Sequence, residues 1–363
     1  MTAPKRILLV SAYDAGSHIR WRKQLVAELP GYHWGLLTLP PRFFRWRIRG
    51  NPLSWVGVPE LQTPWNLIIA TSMVDLATLK GLNPQLAQTP CLLYMHENQF
   101  AYPDSGRQHG SVEPLMVNLY SALAADRILF NSAWNRDSLL EGIGRFLDRL
   151  PDRVPAGVVE TVRGKCHVVP VPIEDRLFAN RSAPVDFECP HLLWNHRWEY
   201  DKAPERLLYL LRELRRREQP FRLSVVGEQF RSRPEAFASI REEFAGQLLH
   251  WGFQENREGY DRLLADADVV ISTALHDFQG LAMLEAMAAG CLALAPDRLA
   301  YPEYVPPVQC YASLPEDPGA EARGAADALQ SLLASGPGPS PPTAWRWSTL
   351  KRIYRQHMDE LMV

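Results

Sequence analysis

Short apolar runs alternate with helical segments along most of the chain. In the first half, the apolar runs that predict buried strands are ILLVSAY, WGLLTLP, NLIIATS, CLLYMHE, RILFNS and CHVVPVP. The second half repeats the alternation with HLLWNHR, FRLSVVGE, LLHWGF and ADVVIST, separated by predicted helices at 204–217, near Phe237 and at 260–265. Because alternating strands and helices build a parallel sheet covered on both faces, the pattern predicts two α/β domains.

A proline-rich stretch at 171–190 interrupts this alternation and predicts the connection between the domains. The predicted domains are therefore 1–172 and 190–335. Residues 313–344 are rich in Pro, Gly and Ala, and only 325–333 is expected to be helical. The final segment, 345–363, is amphipathic, which predicts a last helix.

Composition limits the class of protein. With 363 residues, 46% of them hydrophobic, the chain can fill two cores. No apolar run approaches the ~20 residues that cross a bilayer, so we expect a cytoplasmic protein without a membrane segment. The five cysteines are scattered and lack a C-x-x-C spacing, which predicts neither a disulfide framework nor a zinc site.

Charge is divided unevenly along the chain. Residues 1–172 contain 18 Lys and Arg against 13 Asp and Glu, a net charge of +5. The remaining residues contain 21 against 28, a net charge of −7. A basic first half is compatible with a polyanionic partner.

The most informative chemical motif is HDFQGLAMLEAMAAG at 276–290, directly after the strand ADVVIST. A strand, a turn with Gly280 and a helix starting near Leu281 would place a helix N-terminus at the carboxyl edge of a sheet, where anions bind. Asp277 and Glu285 bracket the turn, so both can reach one ligand that combines hydroxyls with phosphate. The spacing alone also fits a packed helix with two solvated acids.

The motif HRWEYDK supplies a second candidate, with Arg197 and Lys202 just after another predicted strand. A guanidinium fork and a compact ammonium group both suit phosphate oxygens, although a solvated helix cap would have the same composition. The strand ends at Gly227 and at Gly252 and Phe253 are further candidates for ligand contacts, or simply strand-terminal turns.

Polar residues also follow the strands of the first half. MHENQ comes directly after CLLYM, and YDAGSH follows the first strand. Polar side chains at the carboxyl ends of parallel strands usually line a ligand site. These candidates are Gly16, Ser17, His18, His96, Glu97 and Asn98.

The segment PRFFRWRIRG interleaves arginines with aromatic residues. Such a mixture can contact phosphates and stack on unpaired bases. It fits equally well an amphipathic edge with buried aromatics and solvated arginines. The four arginines are Arg42, Arg45, Arg47 and Arg49.

Taken together, the motifs resemble a known family along nearly the whole chain. D-x7-E resembles the E-x7-E signature of retaining, nucleotide-sugar-dependent glycosyltransferases of the GT-B fold, with Asp277 in place of Glu. YDAGSH, HENQ-x-x-YP, N-x-x-S-x-L-x-A-D from Asn118, FNS, HRWE-x-DK and HWG resemble the tRNA-queuosine alpha-mannosyltransferase family. This resemblance implies an α/β GT-B protein with two Rossmann-like domains facing across a cleft, and a last helix, 345–363, packing back onto the acceptor domain.

The resemblance also implies an activity. Mannose would pass from GDP-mannose, with retention, to queuosine at the wobble position of a tRNA, without a metal or another cofactor, and no protein partner is indicated. Two alternatives remain at this point. The first is a GT-B enzyme with a lipid or small-sugar acceptor, and the second is a noncatalytic RNA-binding protein of the same fold.

Roles for individual residues follow from the resemblance. Arg197 and Lys202 would hold the donor diphosphate, Glu285 the ribose, Asp277 the transferred sugar, and His96 the reacting face. The other implied donor contacts are Gly16, Gly227, Gly252, Phe253, Gly280 and Leu281. The implied acceptor contacts are Ser17, His18, Glu97, Asn98, Asn118, Arg42, Arg45, Arg47 and Arg49.

Overall fold

A computed structural model describes residues 4–102, 111–179, 181, 183–230 and 234–362. These residues form two compact units. The first unit runs up to Pro172 and includes the chain again from Ser348, and the second unit is Ile173–Trp347. The final Pro103 of the HENQ-x-x-YP motif lies outside the described residues.

The first unit contains a parallel sheet of six strands, because each apolar run of the first half forms one. The strands are β1 Arg6–Ser11, β2 His33–Thr38, β3 Leu67–Thr71, β4 Cys91–Met95, β5 Arg127–Phe130 and β6 Cys166–Val168. Their order in the sheet is β2-β1-β3-β4-β5-β6. Strands β3 and β4 are buried along their whole length, as expected for strands covered by helices on both faces.

In the part of the chain that the structure describes, seven helices connect these strands. They are α1 Gly16–Glu28, α2 Phe44–Ser54, α3 Pro59–Gln62, α4 Leu76–Leu82, α5 Glu113–Ala124, α6 Ala133–Leu147 and α7 Val158–Arg163, with a 3-10 turn at Pro84–Leu86. The side chains of Asp75 and Ser132 cap α4 and α6 by accepting backbone N–H groups of the first turn.

The second unit repeats this architecture. Its strands are β7 His191–Trp194, β8 Arg222–Val226, β9 Leu248–Gly252, β10 Val269–Ile271, β11 Leu292–Pro296 and β12 Cys310–Tyr311, in the order β12-β11-β10-β7-β8-β9. Its helices are α8 Pro204–Arg216, α9 Ala236–Glu243, α10 Arg257–Asp266, α11 Leu281–Ala288 and α12 Pro318–Ser335. Its 3-10 turns are Asp175–Ala179, Tyr200–Lys202, Tyr301–Glu303, Pro307–Gln309 and Thr343–Trp345.

The last helix, α13 Trp347–Leu361, returns the chain to the first unit. Its buried Tyr354 bonds to residues of that unit: the indole N–H of Trp21 donates to the Tyr354 hydroxyl at 3.1 Å. The hydroxyl in turn donates to the carbonyl of Pro170 at 2.9 Å. The last helix is therefore part of the first hydrophobic unit although it is the final element of the sequence.

The strand orders locate the functional edge of each sheet. Ligands of open α/β sheets bind beyond the carboxyl ends of the strands, where the strand order reverses. In the first sheet this switch point lies between β1 and β3, and in the second between β7 and β10. The candidate motifs YDAGSH, HRWEYDK and HDFQG all follow one of these strands.

Three expectations from the sequence need correction. The described residues of 173–190 belong to the second unit instead of forming a separate connection: Ile173 and Leu177 are buried in its core, and Arg181 pairs with Asp268 at 2.6 Å. The pattern missed β11, because its run LALAP directly follows the helical run of α11. Helix α12 is longer than the predicted 325–333, since Asp317 caps it one residue before Pro318.

Among the described residues, no helix is long and apolar enough to cross a membrane.

Candidate active site

Arg197 lies in the loop that follows β7, at the switch point of the second sheet. Its side chain is 48% exposed and pairs with Glu199 at 3.0 Å. The loop rests directly on the end of β8, where Gly227 has a φ of +148° and a Cβ would lie only 1.8 Å from the carbonyl oxygen of His196. Gly227 thus sets the position of the backbone that carries Arg197.

Lys202 is buried, unlike Arg197. Its side chain is only 8% exposed and lies 3.2 Å from Asp201 and 3.4 Å from Asp277, and it donates to the carbonyl of His276 at 2.6 Å. The ammonium group thus has one hydrogen bond to a backbone carbonyl and two carboxylates nearby. Lys202 therefore ties the HRWEYDK loop to the HDFQG loop, and its contact with a diphosphate stays a prediction.

Asp277 organises the turn before α11. Its Oδ1 accepts the backbone N–H of Gly280 at 2.9 Å, and its Oδ2 faces Lys202. Burial alone would raise the pKa of this carboxyl, but Lys202, the two neighbouring histidines and the backbone N–H of Gly280 together outweigh burial and lower the pKa to about 2. Gly280 has a φ of +77°, and a Cβ there would collide with the hydroxyl of Tyr304 at 2.2 Å. Asp277 is thus a permanent anion that fixes the helix entrance, beside the half-buried Leu281.

Two buried histidines flank this ion cluster. Burial and the neighbouring Lys202 lower the pKa of His196 to about 4, and the same two causes lower the pKa of His276 to about 4. Both imidazoles are therefore neutral near pH 7. Among the described residues, no group hydrogen-bonds to Nε2 of His196.

Glu285 belongs to a second polar group at the same sheet edge. Its Oε1 lies 3.0 Å from the guanidinium of Arg257, and the Tyr260 hydroxyl lies 3.4 Å from Oε2. The side-chain amide of Asn195, which directly follows β7, donates to the Tyr260 hydroxyl and to the carbonyl of Ala282, each at 3.0 Å. These contacts hold Glu285 in an orientation suited to accept hydroxyl hydrogens.

Strand β9 ends beside β8. The backbone N–H of Gly227 donates to the carbonyl of Gly252 at 3.3 Å, so the two predicted glycine positions are neighbours. Phe253 is 59% exposed. An exposed aromatic ring at this sheet edge is a suitable surface for a nucleotide base.

At the switch point of the first unit, the structure brings His18, His96 and Glu97 together. His18 Nε2 lies 3.0 Å from Glu97 Oε2, while Ser72, after β3, donates to Glu97 Oε1 at 2.6 Å. The rings of His18 and His96 stack at 4.1 Å. Burial, and then His18, keep the pKa of His96 well below its usual range. Among the described residues, His96 Nε2 has no hydrogen-bond partner, so this neutral ring can still bond to a ligand.

Gly16 and Ser17 lie beside this cluster, exposed in the first turn of α1. No protein atom lies within 4 Å of a Cβ built at Gly16, so the backbone here is open to approach. The first amides of a helix have no partner within the helix, which makes this turn suitable for a phosphate or sugar oxygen.

Asn98 and Asn118 both form internal hydrogen bonds around the HENQ loop. Asn98 donates to the carbonyl and side chain of Asn135 and accepts the N–H of Ala101, whereas Asn118 donates to the Ser72 carbonyl and accepts the N–H of Gln99. Both side chains are buried. Their internal bonds hold the HENQ loop in place, and a direct contact of either side chain with an acceptor stays a prediction.

The four arginines of the segment PRFFRWRIRG have different environments. Arg47 is buried, and Arg49 pairs with the Asp75 carboxylate and donates to the Thr78 hydroxyl at 2.8 Å. Arg42 and Arg45 are exposed. Of the four predicted phosphate contacts, Arg42, Arg45 and Arg49 are exposed, and Arg47 is buried.

Sequence reasoning missed four residues of these clusters. Asn195 and Ser72 each directly follow a strand at a switch point, so their position was a usable signal. Arg257 and Tyr260 lie on one face of α10, and nothing in their spacing indicated Glu285 as the partner. The missed residues are Ser72, Asn195, Arg257 and Tyr260.

The sequence and structure were compared with known proteins. Residues 6–173 match the family model of the tRNA-queuosine alpha-mannosyltransferase N-terminal region, and residues 188–341 match that of the glycosyl transferases group 1. A tRNA-queuosine alpha-mannosyltransferase of Drosophila melanogaster is 36% identical over 321 residues, which cover 85% of this chain and 84% of the relative.

Solved structures resemble the fold at low sequence identity. A sucrose-phosphate synthase from Thermosynechococcus elongatus superposes with a TM-score of 0.65 at 15% identity, covering 98% of this chain and all of the other. A glycosyltransferase from Rickettsia africae gives a TM-score of 0.62 at 12% identity, covering 100% of this chain and 99% of the other. These likenesses concern the fold alone, and they confirm the predicted GT-B fold class.

Proposed function

The chain belongs to the tRNA-queuosine alpha-mannosyltransferase family, a family of glycosyltransferases, and we propose that it transfers mannose from GDP-mannose to queuosine at the wobble position of a tRNA. The observation that carries the proposal is the pair of polar groups at the switch point between β7 and β10: Lys202 pairs with Asp277 in one, and Glu285 pairs with Arg257 in the other. Arg197 lies in the loop that follows β7. These residue types at this edge suit a nucleoside diphosphate bound to a sugar.

In this proposal the second unit binds the donor. Glu285, oriented by Arg257 and Tyr260, accepts the hydroxyls of the ribose. The exposed ring of Phe253 lies against the guanine base. Arg197 binds the diphosphate with its guanidinium fork, and Lys202 exchanges one carboxylate partner for a phosphate oxygen.

The main catalytic requirement is to stabilise the negative charge that develops on the leaving group. As the bond between the sugar and the phosphate breaks, negative charge grows on GDP. Arg197, Lys202 and the N-terminus of α11 supply fixed positive potential for that charge, which is usually the largest contribution to such catalysis. Asp277 keeps Lys202 and the turn in position, because its low pKa leaves it ionised throughout the neutral range.

The first unit carries the reacting face and the acceptor side. His96 is neutral, and its Nε2 bonds to a hydroxyl of the transferred sugar. His18, held by Glu97, is the acceptor-side residue nearest to His96. Because none of these groups is an obvious covalent nucleophile, the leaving phosphate itself takes the proton of the incoming hydroxyl, on the same face of the sugar.

A direct test uses purified protein, GDP-mannose and bulk tRNA from cells that make queuosine. After digestion to nucleosides, mass spectrometry is expected to find queuosine heavier by one hexose. UDP-glucose and tRNA without queuosine serve as controls. A hexose on another nucleoside, or no transfer from GDP-mannose, would reject the proposed acceptor or donor.

A further inference from the structure

The solvent-facing side of α2 is unusually rich in large apolar side chains. Phe43 is 67% exposed and Trp46 54% exposed, and Leu53 and Val56 continue the exposed stripe. The opposite side of the helix packs Ile48 into the core of the first unit. Exposed apolar surface of this kind commonly marks an interaction site.

The backbone at Phe43 is strained in a way that exposes its ring. Phe43 has a φ of 56° and a ψ of 51°, the left-handed region that bulky residues rarely adopt. Such a conformation is energetically costly for a bulky residue. It turns Phe43 outward while the next residue, Phe44, packs against Tyr13 with ring centroids 6.2 Å apart. The guanidinium of Arg42 lies over the exposed ring at 5.4 Å.

The indole ring of Trp46 lies flat against the backbone of the same helix. A Cβ added at Gly50 would lie 2.5–2.7 Å from three atoms of the indole ring. The ring face therefore lies against the bare backbone of Gly50, and the exposed surface is the outer face of the indole. A planar side chain held in this way offers a ready stacking surface.

The helix that carries both rings is firmly anchored. Arg49 pairs with Asp75, the N-cap residue of α4, and the amide of Asn51 donates to the carbonyls of Arg47 at 2.8 Å and Met73 at 3.1 Å. The rings are therefore presented by a rigid element. Binding to such a surface loses little conformational entropy.

The charge around the rings favours a polyanion. The sequence contains no Asp or Glu between Glu28 and Glu60, and Arg42 and Arg45 are exposed on either side of Phe43. Arginine with exposed aromatic rings matches the chemistry of single-stranded RNA, which presents phosphates and unpaired bases together.

We propose that Phe43 and Trp46 form a stacking platform for unpaired bases of the RNA acceptor, with Arg42 and Arg45 on the adjacent phosphates. The choice of RNA as occupant rests on the proposed function. We call this surface the Phe43–Trp46 platform.

The test measures binding of a fluorescently labelled RNA hairpin with a single-stranded loop, and of a blunt RNA duplex of equal length, to the full chain. Phe43→Ala/Trp46→Ala should weaken hairpin binding on the order of tenfold or more, because stacking of each base on an aromatic ring contributes to the affinity. Duplex binding should stay the same. The dependence of hairpin binding on salt should also stay the same, since no phosphate contact is lost.

Three matched variants sharpen the result. Phe43→Tyr/Trp46→Phe keeps flat rings and should bind the hairpin like the wild type. Arg42→Gln/Arg45→Gln should reduce the slope of log K against log salt by about 1–2, because each lost phosphate contact removes about one released counterion. Tyr209→Ala removes an aromatic side chain that is 46% exposed on the second unit and should change neither measurement.

Unchanged hairpin binding by Phe43→Ala/Trp46→Ala, or an equal loss with the duplex, would overturn the stacking platform, as would a wild type that does not bind the hairpin. Binding of the wild type to phosphatidylglycerol vesicles, lost in the same variant, would overturn it in favour of a membrane surface. GDP binding measured without RNA separates the two proposals: its absence rejects the proposed donor without affecting the hairpin result.

Discussion

At the scale of single residues, the two cations Arg197 and Lys202 of the HRWEYDK loop have different environments. Arg197 is half exposed with one carboxylate partner, whereas Lys202 is buried between Asp201 and Asp277. A substitution of Arg197 removes a group that faces solvent. A substitution of Lys202 also leaves two carboxylates close together without their cation, which is costly in a buried place.

We therefore expect Arg197→Ala and Lys202→Ala to differ in stability but not in activity. Both should lower turnover by on the order of 10²-fold, because both cations face the leaving diphosphate in the proposed mechanism. Only Lys202→Ala should also lower the free energy of unfolding, by about 3 kcal/mol. Steady-state kinetics and thermal melts measure the two effects. Arg216→Ala, which removes another exposed arginine paired with Glu213 at 2.7 Å, is the control. If Arg197→Ala has wild-type turnover, Arg197 does not bind the diphosphate.

The buried histidines predict an acid-sensitive second unit. His196 and His276 have pKa values lowered to about 4, against an ordinary value near 6.5. Between these values the unfolded chain binds protons that the folded chain excludes, so stability falls as the pH decreases, by about 1.4 kcal/mol per pH unit for each histidine. The contribution of Asp277 stays intact in this window, because its pKa of about 2 is lower still.

Urea unfolding of the wild type and of His276→Gln at several pH values tests this expectation. As the pH falls from 6 to 4.5, the free energy of unfolding of the variant should rise relative to that of the wild type by about 1.4 kcal/mol per pH unit. A difference that does not depend on pH in this range would mean that His276 is not kept neutral by the fold.

At the scale of secondary-structure elements, α13 supports the histidine cluster of the first unit. Tyr354 bonds to Trp21, and its hydroxyl oxygen lies 3.0 Å from that of Tyr94. The rings of Trp21 and Tyr94 in turn contact His96, with centroids 4.9 Å and 4.6 Å away. The last helix therefore supports the histidine cluster through Trp21 and Tyr94, although the residues of that cluster lie near the other end of the sequence.

Tyr354→Phe should lower stability and turnover together. The variant leaves the buried N–H of Trp21 without its acceptor, which costs about 1–3 kcal/mol. A small displacement of Trp21 moves His96, and misplacement of a reacting group by a fraction of an ångström lowers kcat on the order of tenfold. Tyr32→Phe is a matched control, because Tyr32 also bonds to α13, through Asp359 at 2.8 Å. It should lower stability and leave kcat unchanged. Equal kcat in both variants would argue against positioning of His96 by α13.

At the scale of the whole molecule, each unit places its polar cluster at the switch point of its own sheet. The donor cluster includes four ionisable groups, but no group of three or more His, Cys, Asp or Glu in the described part of the chain has the geometry to hold a metal ion. In the proposed site, the cations Arg197 and Lys202, together with the N-terminus of α11, supply positive charge to the diphosphate.

Activity should therefore persist in EDTA. Initial rates of mannose transfer with EDTA and with added magnesium or manganese should agree within about twofold, because side chains already supply the charge that a metal would bring. The tRNA should be refolded before EDTA is added, so that loss of RNA structure is not mistaken for loss of a catalytic metal. Strict dependence on either metal would contradict the proposed diphosphate site.

The sequence by itself determined the elements and the edges that carry chemistry. Apolar runs such as CLLYM and ADVVIST predict strands because the two faces of a buried strand must both be apolar, and this information is local. Polar residues directly after those runs, including His96 and Asp277, follow as ligand candidates since parallel strands end at one edge. Family motifs spread along the chain then indicated the fold.

Only the tertiary structure decided which groups meet and which face outward. Lys202 bonds to the carbonyl of His276, 74 residues away, and Trp21 bonds to Tyr354, 333 residues away. The order of the strands and the packing of the last helix on the first unit set these contacts, and local periodicity does not encode them. In the segment PRFFRWRIRG, the composition of both faces of α2 is mixed. Packing against the core therefore selected Arg47 for burial and left Phe43 and Trp46 in solvent.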